Sequence, residues 1–569
     1  MLKQLFAVPD RFYTPDRARL SLVAYAFLVL LCLGFFTPGI VAIPPMDRDE
    51  SSFAQASKQM IETGNYVDIR LQNKPRYNKP IGIYWLQSAS AQLLSPQGLN
   101  EIWAYRVPSF IGATVSVLMT AALGSVLFNA TTGLLAAMML AGCLLLGGEA
   151  RLAKTDAALL AFLMTALYAM ARAYKEKLSG IQSRRFFLPF LFWTALAGGI
   201  LIKGPIALLP VLGILLWVKL FGKDVSWFRR LLPLIGLLYA LALTAPWFIA
   251  ILAQSGVAFL EASAGRDMLA KIWEGQNRGF IPPGMHLTAL PVLFFPFSLF
   301  VAFAIPDIWK NRKEESVRFC LGWIVPLWIV FEMAFTKLPH YVLPAYPAIA
   351  LLTAKSIAEG FPWLSEKCRR FPVFLITGAW ILIGAAVAFL LPLAFFLLYN
   401  RLDLPLVLAG LVVILCQHAG LFLFIKDKIA SFVVMSIGAM VFSAMICGYA
   451  LPQVPFLWTS NKIVEKARIA AGDSCASPKI ISAGYAEPSL VFLAGTDTRL
   501  ATGGAEAAGA LKTTACGVAV IDKVQNQAFM DAFAAAETKP LEAGTLTGVN
   551  AGKGSMAYLT FYILPKERK

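Results

Sequence analysis

Long apolar runs separated by short polar loops occupy about the first four-fifths of the chain. Runs of about 17–25 apolar residues suffice to cross a bilayer as helices, and about thirteen are expected here. The first extends from about Leu20 to Ile43. The others centre near Val115, Met139, Met164, Trp193, Leu212, Leu238, Phe295, Trp328, Ala348, Ile383, Leu411 and Ala439. Only Lys203-Gly204-Pro205 separates the Trp193 and Leu212 runs. After about Pro452 the pattern changes. KIISAG, SLVFLAG, GVAVIDK and MAYLTFYIL read as strands, and KIVEKARIAA, GAEAAGALK and QAFMDAFAAAE read as helices. The expected architecture is an α-helical polytopic membrane domain over residues 1–452 followed by a small soluble α/β domain over 453–569.

Composition agrees with that pattern. Of 569 residues, 58% are hydrophobic and 15% charged, which excludes an ordinary soluble enzyme. The net charge of +17 would suit a nucleic-acid binder, but its placement points elsewhere. Lysines and arginines gather in alternate short loops: Arg172 to Arg185, Lys219 to Arg230, Lys310 to Arg318, Lys367 to Arg370, and Lys426 with Lys428. With the N-terminal Lys3, Arg11, Arg17 and Arg19, all fall on one side of the expected topology, and that side is cytoplasmic. The loop at Asp49, the loop after Ala253, the KLPHY turn and the C-terminus then face outward. The first run leads straight into DRDE without a small-residue cleavage site, so no cleavable signal peptide is expected.

The stretch Pro44–Pro80, PPMDRDESSFAQASKQMIETGNYVDIRLQNKPRYNKP, carries the densest polar chemistry. Asp47 with Glu50 three positions later fits a capping box opening a helix, which Gly64 and Asn65 would close. Asp49 is left over, either as a functional charge or as a solvated one. Further polar clusters lie on the expected outer face. RYNKPIGIYW (Arg76 to Trp85) interleaves cations with Tyr77, Tyr84 and Trp85, as a site or as an interfacial belt. EARLAKTD (Glu149 to Asp156) places Asp156 at the start of a helix, where the helix dipole alone would favour it. GRDMLAKIWEGQNRG (Gly265 to Gly279) carries Arg266, Lys271 and Arg278. TKLPHYVLPAYP carries Lys337, His340 and Tyr341.

Walker, Rossmann, HExxH and paired CxxC motifs are missing from the sequence, and the three histidines (His286, His340, His418) are widely spaced. Chemistry is therefore expected from carboxylates, cations and aromatics, with no metal or cofactor required. Of eight cysteines only Cys475 and Cys516 fall in the C-terminal domain. They read either as a disulfide or as two separate buried thiols.

The Asp-Glu pair after the first run, then RYNKPxxxYW, KGP and KLPHYxLPAYP, resembles the lipid-phospho-sugar-dependent glycosyltransferases of the GT-C fold. Within them it is most similar to the bacterial branch of the protein O-mannosyltransferase family that contains the 4-amino-4-deoxy-L-arabinose (aminoarabinose) transferases. The likeness covers the membrane part. It implies an inverting transfer of that sugar from undecaprenyl phosphate to a lipid A phosphate at the periplasmic face of the bacterial inner membrane, conferring polymyxin resistance. The implied partners are the lipid-linked donor, lipid A and membrane lipids, with no nucleic acid and a monomeric chain. By the same resemblance the family's Asp-Glu pair falls on Asp49 and Glu50, and its basic-aromatic motif on Arg76, Tyr77, Lys79 and Pro80. The loop GRDMLAKIWEGQNRGFIPPGMH departs from the His-Arg-Phe element of that branch, so fold and donor class follow more firmly than the sugar.

A sugar leaving a polyprenyl phosphate needs cations against the charge growing on the phosphate. Lys79, Lys203 and Arg266 are candidates, with Tyr341 as a hydroxyl donor; headgroup binding is the other use for such cations. The candidate catalytic carboxylates are Asp49, Glu50 and Asp156. Arg76, Tyr77, Tyr84, Lys337 and His340 complete the expected donor site. A hydroxyl acceptor would need a base, whereas a phosphate is already largely ionised near pH 7. Asp49 would then orient the acceptor or hold the amine of the donor sugar. A transferase using another sugar or a hydroxyl or protein acceptor is the alternative. A lipid-sugar flippase would more often carry polar residues at mid-membrane depth, whereas here they gather at one face.

Overall fold

A computed structural model describes residues 12–14, 19–179, 186–263, 282–362, 370–472, 475 and 477–565. The chain divides into two compact units: 1–40, 77–83 and 108–449 form the first, and 41–76, 84–107 and 450–569 form the second.

The first unit is helical and multi-pass. Among the described residues nine helices are long and apolar enough to cross a membrane, with Leu22–Phe36 and Ala130–Gly142 as shorter apolar helices. The difference from the thirteen expected runs has local causes. The Trp193 and Leu212 runs form one 36-residue apolar stretch, Phe187–Gly222. As one straight helix it would reach about 54 Å, far beyond a hydrocarbon core of ~30 Å. It is interrupted at Gly204, whose φ of +72° breaks the helical ladder after Lys203. The run near Phe295 is divided into Met285–Leu293 and Ser298–Lys310, each too short to span. Helix starts follow ordinary capping chemistry. The Asn129 side chain accepts the Thr132 N–H at 2.8 Å, and the Asp403 carboxylate accepts the Leu406 N–H at 3.2 Å.

The second unit is a mixed five-stranded sheet with helices. Strands β3 (Lys479–Ala483), β4 (Arg499–Ala501), β5 (Gly517–Asp522), β6 (Leu541–Asn550) and β7 (Ser555–Ile563) are arranged in the order β4-β3-β5-β7-β6. β4, β3 and β5 are parallel, while β7 and β6 add antiparallel. A short hairpin, β1 (Arg70–Leu71) with β2 (Lys74–Pro75), lies earlier in the unit. Successive residues of the central strands enter opposite cores. Ile481, Ala519 and Ile521 pack with Leu511 and Phe529, and Ile480, Val518 and Val520 pack with Ile463 and Leu490. That two-sided burial explains their unbroken apolar runs.

SLVFLAG, expected as a strand, is instead the helix Pro488–Ala494. Pro488 supplies a preset first-turn φ, Gly495 stops the helix, and a seven-residue apolar run carries no period that separates the two states. Cys475 and Cys516 are disulfide-bonded, with Cα atoms 6.1 Å apart.

Residues 41–76 join the C-terminal segment through polar side chains of the helix Asp49–Thr63 and the loop beyond it. Gln55 Nε2 donates to Thr496 Oγ1 at 2.7 Å, Lys58 Nζ to the Phe492 carbonyl at 3.2 Å, and Gln72 Nε2 to the Thr498 carbonyl at 2.7 Å. A helix with little apolar character is thus buried by hydrogen bonds, each satisfied group avoiding a desolvation cost.

Candidate functional site

The sequence EARLAKTD forms the turn between the helices Leu144–Glu149 and Asp156–Ser179, and in the first unit it builds a buried ionic cluster. Lys154 Nζ lies 3.2 Å from Glu149 Oε1 and 3.9 Å from Asp156 Oδ2. Lys203, the last residue of its helix, brings Nζ to 2.5 Å from Asp156 Oδ1. His340 Nδ1 is 3.7 Å from Glu149 Oε1, and its Nε2 is 4.0 Å from Asp156 Oδ2. The Tyr341 ring lies against both the His340 ring and the Lys203 ammonium, with centroid distances of 5.0 and 5.7 Å. Two carboxylates, two lysines, an imidazole and a phenol ring are therefore gathered where several helices end.

The turn is held from behind. Ser109 donates to the Lys154 carbonyl at 3.1 Å, and the buried Arg151 guanidinium donates to the carbonyls of Pro38, Gly147 and Phe35. Burial, reinforced by the neighbouring Asp156 charge, pushes the Glu149 carboxyl up to about 7 although Lys154 opposes the shift. The KLPHY segment is fixed by His286, which is buried and bonded to the Leu338 carbonyl at 3.1 Å and to Glu332 through its own N–H at 3.1 Å.

The segment Tyr77–Ile83 lies along the end of the Lys203 helix. A Cβ on Gly82 would stand 2.8 Å from the Leu201 backbone carbonyl, so only glycine permits this approach. A Cβ on Gly204 would stand 3.9 Å from Pro80 Cγ, so the backbone at Lys79-Pro80 reaches the end of that helix. The Lys79 ammonium donates to the Asn78 carbonyl at 3.1 Å, and the buried Tyr77 ring stacks edge-on against Phe259. Lys337 is buried and donates to the Ala334 carbonyl at 2.7 Å.

Asp49, Glu50, Arg76 and Tyr84 belong to the second unit. Asp49 is exposed in the first turn of its helix. Glu50 is buried and held by Arg106, whose Nε donates to Oε1 at 2.7 Å and Nη2 to Oε2 at 2.9 Å. The Met46 N–H also donates to Oε2 at 2.9 Å. The carboxylate expected to be catalytic is thus part of the loop's framework. The capping box expected at Asp47 does not form, because Arg48 occupies the N-cap position without capping the helix, and its guanidinium donates to the Gly552 carbonyl at 2.8 Å. The Asp47 carboxylate instead accepts the Ser489 N–H at 3.3 Å, and burial pushes it up to about 6. Arg76 donates to the buried Tyr84 hydroxyl at 2.6 Å and stacks over Phe53, 4.4 Å from the ring centroid. Arg266 lies outside the described residues.

Sequence reasoning carried Asp156, Lys203, His340 and Tyr341 forward and missed Glu149, Lys154 and Arg106 as participants. A signal existed for each. Glu149 and Lys154 stand in the same octet as Asp156, and Arg106 is the lone charge in IWAYRVPSF, where an isolated cation in an apolar helix implies a partner. Among the described residues no group of three or more His, Cys, Asp or Glu is arranged to hold a metal ion.

Residues 78–249 match the family model for dolichyl-phosphate-mannose-protein mannosyltransferase. Over 343 residues the chain is 28% identical to the undecaprenyl phosphate-alpha-4-amino-4-deoxy-L-arabinose arabinosyl transferase of Pectobacterium atrosepticum, covering 60% of each chain. An uncharacterized protein of Aquifex aeolicus is 25% identical over 331 residues, covering 57% of this chain and 62% of that one. The matched part is thus under two thirds of these relatives' length. The fold is that of ArnT from Cupriavidus metallidurans, solved bound to undecaprenyl phosphate: TM-score 0.71 and 16% identity, over 95% of this chain and 97% of that one.

Proposed function

We propose that the chain, whose residues 78–249 match the dolichyl-phosphate-mannose-protein mannosyltransferase family model, is a GT-C glycosyltransferase that transfers a sugar from a polyprenyl phosphate to a lipid acceptor. The donor is an undecaprenyl-phosphate sugar, in line with the carrier for which its relatives are named and to which one of them was solved bound. The observation that carries the reading is the buried Asp156–Lys203 pair, with the Lys79-Pro80 backbone at the end of the Lys203 helix. In the reaction the acceptor oxygen attacks the anomeric carbon with inversion, and the bond to the carrier phosphate breaks with its electron pair passing to the phosphate. Lys79 and Lys203 meet that growing charge, and preorganised cations in a site shielded from water do so without reorganising. Asp156 holds the Lys203 ammonium in place, and Tyr341 supplies a hydroxyl and a ring face to the same end of the site. Arg266 is assigned to the phosphate as well, and Lys337 and His340 to the surrounding donor pocket. Asp49 provides an exposed carboxylate for the acceptor or for an amine on the sugar.

The fullest form of the proposal is transfer of 4-amino-4-deoxy-L-arabinose to lipid A phosphate at the periplasmic face of the inner membrane. The alternation of basic loops supports that orientation. A different sugar is the second reading, favoured by the departure of GRDMLAKIWEGQNRG from the pattern of the aminoarabinose branch. Mass spectrometry of lipid A from cells lacking the gene, complemented with the wild type or with Asp49→Asn, tests both. A pentosamine-sized addition restored by the wild type alone is expected. Unmodified lipid A in every strain would refute the acceptor, and restoration by Asp49→Asn would refute the role of Asp49.

A further inference from the structure

A groove of about 940 Å³ runs along the helix Leu209–Gly222, with Pro326 and Val330 of the helix Glu315–Met333 on its other side. None of the candidate-site residues lines it. Its walls are apolar, and Leu212 and Leu216 are each 56% exposed. In a membrane-crossing segment such exposure faces acyl chains. One end of the groove is different: Lys219, Lys223 and Arg229 meet there with Asp224 and Ser226. The Asp224 carboxylate is already taken. Lys177 binds it, the Ser226 N–H donates to it at 2.8 Å, and these contacts hold it below the usual carboxylate range. The three remaining cations are exposed.

The dimensions and the charge together select an occupant. Fourteen helical residues extend about 21 Å, roughly the depth of one leaflet with its interface. We propose that this groove holds a two-chain anionic phospholipid, its headgroup among Lys219, Lys223 and Arg229 and its acyl chains along Leu212, Leu216 and Val330. Basic pockets between membrane helices recognise anionic headgroups in this way, and positive charge on this side matches the anionic leaflet. The proposal stands apart from the transfer reading, since it uses none of the residues assigned to that reaction.

The test uses the full chain purified in mild detergent and offered equimolar phosphatidylglycerol and phosphatidylethanolamine, with retained lipid counted by native mass spectrometry. The wild type is expected to prefer phosphatidylglycerol by on the order of 10- to 100-fold. Lys219→Gln/Lys223→Gln/Arg229→Gln should lose that preference at an unchanged unfolding temperature and unchanged sugar transfer. Leu216→Trp, which fills the groove, should lose retention of both lipids. Equal retention of the two lipids by the wild type, or an undiminished preference in the triple variant, would overturn the proposal. So would displacement of bound phosphatidylglycerol by undecaprenyl phosphate, which would assign the groove to the carrier.

Discussion

Replacing Glu50 with Gln separates a catalytic carboxylate from a structural one. Arg106 is 0% exposed and Glu50 is 2% exposed. The guanidinium spends two of its donors on Glu50 at 2.7 and 2.9 Å, and further donors on the carbonyls of Ile43 at 2.6 Å and Pro44 at 3.0 Å. Gln is nearly isosteric, but it turns an NH₂ toward the guanidinium and leaves Arg106 charged without a counterion. Removing one member of such a buried pair costs about 3–5 kcal/mol, because the remaining charge stays desolvated. For a unit of this size each kcal/mol lowers the unfolding temperature by about 2–4 °C, so a drop on the order of 10 °C is expected. Intrinsic tryptophan fluorescence of the detergent-solubilised protein on heating reads the drop, beside an assay of sugar transfer. Glu50→Leu/Arg106→Met removes both charges and should recover part of the loss, since an apolar pair carries no such burden. Unfolding of Glu50→Gln within about 2 °C of the wild type would refute the argument. If transfer alone were lost at that unchanged temperature, Glu50 would act in the chemistry.

Lys79→Ala should reduce transfer by roughly 10²-fold, the scale of losing one preorganised charge partner, with folding intact; near-normal turnover in single-turnover kinetics would show that the lysine only meets lipid headgroups. Asp47 sets a pH dependence. Its folded carboxyl, raised from 3.8 to about 6 by burial, binds its proton more tightly than the unfolded one. Stability from this group is therefore greatest below about pH 4, falls as pH rises to about 6, and then stays lower by up to about 3 kcal/mol. Asp47→Asn should flatten that part of the unfolding-temperature profile and raise the value at pH 7; parallel profiles for the two proteins would contradict it.

The legible parts of this chain were those decided by local pattern. Apolar runs of spanning length, the stop at Gly64 with φ +69°, and the strands KIISA and GVAVID all follow from period, burial and turn chemistry. What remained hidden depended on partners chosen in three dimensions. Asp47 has the spacing of a cap for its own helix, but the N–H it satisfies belongs to Ser489, 442 positions away. The catalytic reading of Glu50 rests on the resemblance of the Asp-Glu pair, whereas its bond to Arg106, 56 residues on, is a choice made in three dimensions. SLVFLAG is buried whichever state it adopts, and only the flanking Pro488 and Gly495 favoured a helix. In each case composition fixed the need for a partner and tertiary structure chose it.

The same distinction bears on the ionic cluster, where charge balance matters more than any single residue. Lys154 and Lys203 face Glu149 and Asp156, so with both carboxylates ionised and His340 neutral the lysines are fully compensated. Burial and the neighbouring Asp156 charge push the Glu149 carboxyl up toward its protonated form, against the opposing pull of Lys154. Protonation of Glu149 leaves the cluster with one net positive charge, the state that the proposed transfer would need in order to receive a carrier phosphate. Binding that phosphate adds negative charge nearby and favours the protonated carboxyl further, so the proton on Glu149 and the anion reinforce each other by linkage. Asp156 cannot take over this part, since it is committed to Lys203 at 2.5 Å. On that proposal two carboxylates seven residues apart in sequence have separate duties, one anchoring a cation and the other adjusting how much positive charge the site presents.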